Sequence, residues 1–475
     1  MIGDISLSSL AYFMLSQKVP NKLNPQLKAG DATFNSVSTD TRTLKAGDLF
    51  FALRGERFDA HDFLDDAVQK NPCALVVEKF NPSIKLPQLV VSDTTRALGL
   101  LGALNRSLFN GVLVAITGSS GKTTVKTMVA TILRESGETL ATQGNLNNHI
   151  GVPLTLINLE AKHQFAVIEM GASAANEIAY SCSLARPQVA MINNVMPAHI
   201  QGFGSLEGVA SAKAEIYQGL VAGGIAVVNI DDQFAESWLD TLADKKIITV
   251  SLNNSHADFY ADSVRLRPGL RDDPANSNIF DTLKFDLVIK GRRLPVQLNA
   301  QGEHSVRNAL MAAACCYALG VSNEKIQLGL ERFNPVGGRM CPRRGIEGSL
   351  VIDDTYNANP GSVRAAIDVL AERERGILVL GDIGELGEEA DVLHRQLGEY
   401  AKKAGLAALF TLGKLSEQTS LAFGEHAQHF TDRAKLIARL QQEASATTTF
   451  LIKGSRSARM ELVVGELCDA LGGSH

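Results

Sequence analysis

The chain of 475 residues is poor in the features that mark secreted, membrane or polyanion-binding proteins. Cysteine is scarce: Cys73, Cys182, Cys315, Cys316, Cys341 and Cys468 are scattered, and no Cys-x-x-Cys spacing offers a zinc site. Cys315 and Cys316 fall in Met311-Ala-Ala-Ala-Cys-Cys-Tyr-Ala-Leu319 and read as small core residues of a helix, not as a redox pair. No apolar run reaches the ~18 residues a membrane span needs. Asp4 lies near the start, where a leader would carry a basic region and a long apolar stretch, so neither leader nor span is expected and a reducing cytoplasm is the expected compartment. A net charge of −5 with a pI of about 6.1 gives no bulk attraction for nucleic acid. Internal repeats and low-complexity segments are absent. A hydrophobic content of 45% with 20% charged residues describes an ordinary globular protein, and the length suggests about three domains.

One stretch organises the rest. Val112 to Ile116 is continuously apolar, as in a parallel strand covered on both faces. Thr117-Gly-Ser-Ser-Gly-Lys-Thr-Thr124 follows, and then Val125, Met128, Val129, Ile132 and Leu133 recur at helical spacing. Strand, small-residue turn and helix together make a phosphate loop. Gly118, Ser119, Ser120 and Gly121 let backbone N–H groups turn towards one anion, with Thr124 in the first helical turn. Lys122 adds a point charge for phosphate oxygens, and Thr123 a hydroxyl for magnesium. The strict pattern has glycine where Ile116 stands, so the loop is shortened. A nucleoside triphosphate is the expected ligand.

Around it the chain reads as α/β in three parts: residues 1–92, 93–334 and 335–475. The first is a small α/β unit with a helix over Ser8–Leu15 and short strands at Val37–Arg42, Leu49–Leu53, Ala74–Val77 and Leu89–Val91. Thr39, Thr41 and Arg42 there suit either a phosphate or base edge or a solvated loop. The second carries further strands at Phe165–Glu169, Val189–Asn193, Ile225–Asn229 and Ile247–Val250, a doubly wound, mostly parallel sheet. The hairpin pattern of Phe285–Leu298 adds an antiparallel extension, and Arg265–Asn278 is polar and turn-rich. The third repeats the alternation on a smaller, Rossmann-like sheet, with strands at Leu350–Asp353, Ile377–Leu380, Leu409–Leu412 and Phe450–Ile452.

Ligands in such sheets gather beyond the carboxyl ends of the strands. Glu169 ends a strand where phosphate-loop enzymes keep an acidic metal ligand. His199 follows Asn193 and Asn194 in a loop, either merely exposed or a ligand. Lys213, on a helix with Glu207 and Glu215, reads alone as a surface lysine, and as an ammonium it would oppose a nearby magnesium ion. His304, Asn308, Arg339, Asp354 and Asn357 punctuate the second junction, with side chains suited to adenine, ribose and a terminal phosphate. Gly381-Asp-Ile-Gly-Glu-Leu-Gly387 lacks the Gly-x-Gly-x-x-Gly spacing and is acidic, so dinucleotide binding is rejected.

These residues taken together resemble the Mur ligase family of peptidoglycan synthesis over essentially the whole chain. Beside the phosphate loop, Gly144-Asn-Leu-Asn-Asn148 with Ile150-Gly-Val-Pro-Leu154 matches a family signature. Thr39-Asp-Thr-Arg42, Ala52-Leu-Arg-Gly-Glu-Arg-Phe-Asp-Ala-His-Asp62, Asp353-Asp-Thr-Tyr-Asn-Ala-Asn-Pro360 and Ile452-Lys-Gly-Ser-Arg-Ser457 point to its D-alanyl-D-alanine-adding branch. Ser305 departs from the family, which often has a second asparagine there.

The resemblance implies three domains, which hold a UDP-sugar, ATP and the incoming amine; a monomer is the expected state. It implies ATP-dependent addition of D-alanyl-D-alanine to UDP-N-acetylmuramoyl-tripeptide through an acyl phosphate. Thr123 and Glu169 would hold one Mg²⁺ and His199 a second, with Lys213 carbamylated by CO₂. His304, Asn308, Arg339 and Asp354 would meet ATP, and Thr39, Thr41, Arg42, Asn147, Asn148 and Asn357 the other substrates. The alternatives are another amide ligase of the superfamily, such as one adding glutamate to a folate, or a phosphate-loop switch without ligase chemistry.

Overall fold

The computed structural model describes residues 1–17, 23–55, 58–197, 200–267 and 281–468. Among these, the strands form four sheets, and each large one belongs to its own α/β unit.

In the first unit the strands run in the order Gln26–Lys28, Gln88–Val90, Ala74–Val77, Leu49–Phe51, Val37–Ser38, all parallel except the first. Helix Leu7–Ser16, capped by the Ser6 hydroxyl, buries Leu7, Leu10 and Met14 against this sheet and against Leu98 and Leu101 of helix Thr94–Ser107. The strand read over Val37–Arg42 stops at Ser38. The Asp40 carboxylate accepts the Arg42 N–H at 2.9 Å and folds residues 39–42 into a turn, the local competition by which aspartate breaks a ladder.

The central sheet has the order Arg292–Leu298, Thr282–Ile289, Phe259–Arg267, Lys246–Val250, Ile225–Asn229, Val189–Ile192, Val112–Thr117, Phe165–Glu169, Thr139–Ala141. The strands from Thr139 to Val250 are mutually parallel, and Leu113 to Ile116 are fully buried between helices on both faces. The antiparallel extension is present: Thr282–Ile289 and Arg292–Leu298 turn at Lys290 and Gly291, both at positive φ. Strand Phe259–Arg267 takes in the start of the polar stretch at Arg265–Asn278, which from residue 268 lies outside the described residues. Cys315 and Cys316 are free and buried in helix Glu303–Ala318, packed beneath the sheet.

The third sheet is parallel over Leu350–Asp354, Thr448–Lys453, Arg375–Gly381, Ala408–Leu412 and Ala427–Phe430, with Cys341–Arg344 antiparallel at one edge. Its first helix, Pro360–Ala371, is started by a capping box of Asn359 and Ser362. This helix docks on the central unit at glycines. A Cβ on Gly302 would stand 2.6 Å from Val369, and one on Gly361 2.5 Å from the Met196 sulfur. Just past its end, Arg373 pairs with Asp281 and donates to the Gln301 side chain at 2.9 Å, a buried bridge between the two units.

Candidate active site

A cleft of about 500 Å³ opens where the carboxyl ends of the central strands face the third unit. The phosphate loop forms one wall. Gly118 (φ 154°) and Gly121 (φ 76°) make the turn, and a Cβ on Gly121 would lie 2.5 Å from Asn193 Nδ2 and 2.8 Å from Asn308 Oδ1. Only glycine fits there. The Ser119 N–H donates to the Asn194 carbonyl and the Ser120 N–H to its side-chain oxygen, both at 2.9 Å. The expected convergence of loop N–H groups on one anion is therefore narrower. Ser119 and Ser120 brace the loop on Asn194, while the first turn of helix Lys122–Arg134, Thr124 included, keeps N–H groups without intrahelical acceptors. The Lys122 ammonium folds back on the Gly118 carbonyl at 2.7 Å, and burial pushes its pKa down against the pull of Glu169.

Glu169 ends its strand at 2% exposure. Its Oε2 accepts the Thr123 hydroxyl at 2.9 Å and its Oε1 the Asn147 amide at 2.8 Å. The Thr123 proton is thus committed, and its lone pairs remain for a hard cation. Asn148 also lines the cleft, its Oδ1 accepting the Ile150 and Gly151 N–H groups where helix Gly151–Ile157 begins.

Lys213 is no surface lysine. It is 4% exposed on helix Leu206–Gln218 and faces the cleft, with neither hydrogen bond nor ion pair among the described residues. Glu215 points elsewhere, accepting the Asn176 and Ala179 N–H groups. Burial, reinforced by the Lys122 charge, brings the Lys213 pKa from 10.5 to about 7. A substantial share of this amine is therefore neutral near physiological pH.

The third unit supplies the opposite wall. Arg339 lies over the Tyr356 ring at 4.0 Å, and Asp354 accepts the Met340 N–H at 3.1 Å. His304, Asn308 and Asn357 line the same space, and Asn308 Oδ1 accepts from Asn193 Nδ2 at 2.9 Å. Burial drives His304 down to about 4, so its ring is neutral. Ser305 sends its hydroxyl one turn back to the Gln301 carbonyl at 2.7 Å.

The structure does not bring every expected residue to this cleft. His199 lies outside the described residues. Thr39, Thr41 and Arg42 sit in the first unit, with Arg42 paired to Asp40 and largely exposed. A second cavity of about 430 Å³ lies between the first and central units, lined by Arg54, Glu78, Asp93, Arg96 and Tyr180, and His149 lines both. Two lysines had no role in the sequence reading. Lys126 lies 3.6 Å from Glu169 Oε2, and Lys453 2.5 Å from Asp354 Oδ2. A signal for Lys453 existed, since a lysine closing the apolar run Phe450–Ile452 must find a buried partner.

Residues 116–316 match the family model of the Mur ligase middle domain, and residues 338–456 that of the Mur ligase, glutamate ligase domain. The chain belongs to the Mur ligase family. The UDP-N-acetylmuramoyl-tripeptide--D-alanyl-D-alanine ligase of Escherichia coli (strain K12) is 44% identical over 94% of this chain and 96% of its own length. The enzyme of that name from Haemophilus influenzae is 42% identical over 92% and 94%. Among solved structures, MurF from Acinetobacter baumannii superposes with a TM-score of 0.87 at 34% identity, covering 98% of this chain and 99% of that one. MurF ligase from Thermotoga maritima, solved in complex with ADP, gives 0.80 at 25% identity over 91% and 96%. In this Mur ligase, then, the loop, Glu169 and Lys213 share one cleft that the C-terminal unit closes.

Proposed function

We propose that the chain joins D-alanyl-D-alanine to the terminal carboxylate of UDP-N-acetylmuramoyl-tripeptide, converting ATP to ADP and phosphate. The observation that carries this reading is a single cleft in which a phosphate loop, a buried carboxylate and a buried lysine with no partner among the described residues meet Arg339 and Asp354 of another unit. The relatives named for this reaction match over nearly their full length. We assign residues 1–92 to the UDP-sugar, with Thr39, Thr41 and Arg42 among its contacts, 93–334 to ATP and 335–475 to the amine. Asn147, Asn148 and Asn357 would face the peptide substrates. The enzyme would act as a monomer in the cytoplasm, where ATP is at hand; among the described residues no helix is long and apolar enough to cross a membrane.

A peptide carboxylate oxygen attacks the γ-phosphorus, and the bond from that phosphorus to the bridging oxygen breaks, giving acyl phosphate and ADP. The amine nitrogen of D-alanyl-D-alanine then attacks the acyl carbon, loses a proton, and phosphate departs with the C–O electrons. The first turn of helix Lys122–Arg134 would hold phosphate oxygens, with Lys122 turning from Gly118 to them. Arg339 would offset charge as the phosphoryl group moves, and docking of the C-terminal unit would keep water from the acyl phosphate. His304 and Asn308 would meet the purine, and Asp354 the ribose.

Thr123 and Glu169 fit a magnesium ion, because the hydroxyl keeps its lone pairs free and the carboxylate is a hard donor. Bound there, magnesium would neutralise phosphate charge. His199 would hold a second ion. Neutral Lys213 can attack CO₂ through its lone pair and shed a proton, becoming an anionic carbamate in place of an opposing ammonium. Phosphate release measured with ATP, the UDP-tripeptide and D-alanyl-D-alanine should require all three. Release indifferent to D-alanyl-D-alanine would overturn the proposal.

A further inference from the structure

Beneath the nucleotide wall, helix Lys122–Arg134 carries a second lysine one turn after Lys122. Lys126 is 6% exposed and does not line the cleft, so it has no access to a nucleotide. Its Nζ donates to the Thr142 carbonyl at 2.8 Å and lies 3.6 Å from Glu169 Oε2. That is the same oxygen that accepts the Thr123 hydroxyl. Thr142 also fixes the other partner, since its hydroxyl accepts the Glu169 N–H at 3.0 Å. One residue at the end of the edge strand therefore holds both members of the ion pair in register.

The charges around this pair are lopsided. Burial disfavours the ammonium of both Lys122 and Lys126, Glu169 favours it, Arg339 opposes both, and Lys122 in turn bears on Lys213. A free divalent cation approaching Glu169 meets a carboxylate already matched by the Lys126 ammonium, with Lys122 and Arg339 adding positive charge nearby. A triphosphate reverses that balance. Like charges in a poorly hydrated site repel strongly, so the order in which the ions arrive is set by charge.

We propose that Lys126 is a resident counter-ion that matches the charge of Glu169 until a polyphosphate arrives, so that the divalent metal enters with the nucleotide and not before. Lys126 acts through Glu169 and is a positioning residue. The inference rests on the reading of Thr123 and Glu169 as the metal site.

The test is direct metal binding, read by the electron paramagnetic resonance of Mn²⁺ in carbonate-free buffer. Wild-type protein should bind Mn²⁺ weakly alone and tightly with a non-hydrolysable ATP analogue. Lys126→Gln keeps a donor for the Thr142 carbonyl without the charge, and Lys126→Met removes both. Each should bind Mn²⁺ without nucleotide at least ~10-fold more tightly than wild type, because a repelling charge is gone. Lys126→Arg should behave as wild type, and adding Glu169→Gln to Lys126→Gln should erase the gain. Mn²⁺ alone should raise the melting temperature of Lys126→Gln more than that of wild type. A merely structural lysine cannot produce tighter metal binding when removed. No gain in either uncharged variant, or collapse of both, overturns the proposal. If Glu169→Gln alone binds the Mn²⁺–nucleotide complex as tightly as wild type, the metal-site reading itself falls. If it loses that binding while Lys126→Gln gains nothing, only the counter-ion role falls.

Discussion

Lys453 donates to Asp354 across two adjacent parallel strands, Nζ to Oδ2 at 2.5 Å, and the two residues face each other in the strand register. Their side chains are 3% and 12% exposed, and the same ammonium reaches the Asn357 carbonyl at 3.0 Å. Removing one member of such a pair strands the other charge. Lys453→Met should cost about 3–5 kcal/mol of stability, read in urea unfolding. An Asp354→Asn, Lys453→Met double variant should recover part of the loss.

Lys213→Ala should nearly abolish ligation while ATP affinity is retained, and short carboxylic acids should restore part of the rate. Full activity in this variant would remove the carbamate from the mechanism.

The depressed pKa of Lys213 also fixes a pH dependence. Between about 7 and its ordinary 10.5 the unfolded chain keeps this proton and the folded chain releases it. The cost of burying this ammonium is therefore full and constant below about 7 and is relieved as pH rises through that window. The CO₂ requirement should follow the neutral amine, so activity in bicarbonate-poor buffer should fall most steeply below pH about 7. Titrating bicarbonate at pH values on either side checks this.

Lys122→Ala should lower kcat by the equivalent of about 3–4 kcal/mol, as for loss of one preorganised donor to developing charge. Single-turnover phosphate release separates this from weaker ATP binding, and an effect on KM alone would contradict the assignment.

Gly121→Ala combines a positive φ with a methyl group 2.5 Å from Asn193 Nδ2. The backbone strain alone is worth about 1–3 kcal/mol. Thermal melting should show the loss, and ATP affinity should drop with it because the loop must move to make room.

The buried parallel strands and the phosphate loop were legible because a continuous apolar run ending in a Gly/Ser turn has few other solutions. Three short edge strands were not. Thr139–Ala141 is short and half-buried, Cys341–Arg344 carries proline and two arginines, and Ala427–Phe430 includes two polar residues, so none shows the apolar run that signals burial. Val37–Arg42 misled in the opposite direction, through an aspartate that turned the chain. Within the cleft, Glu169 was legible from its place at a strand end. Lys126 was not, because its helical position alone does not reveal that a carboxylate from a strand and a carbonyl from another lie beneath it. The inward turn of Lys213 was equally hidden, since its helix offers Glu215 as an apparent partner that is engaged elsewhere.

The joint between the central and C-terminal units is built on bare backbone. At Gly302 and Gly361 a single methyl would collide with Val369 and Met196. The closeness of that joint would decide how well the acyl phosphate is kept from water. At Gly361 the flexible Met196 side chain can swing aside, but an alanine at Gly302, at positive φ and against the stiff Val369, should wedge the units ajar, so that the mixed anhydride leaks to water and more than one ATP is spent for each peptide bond made.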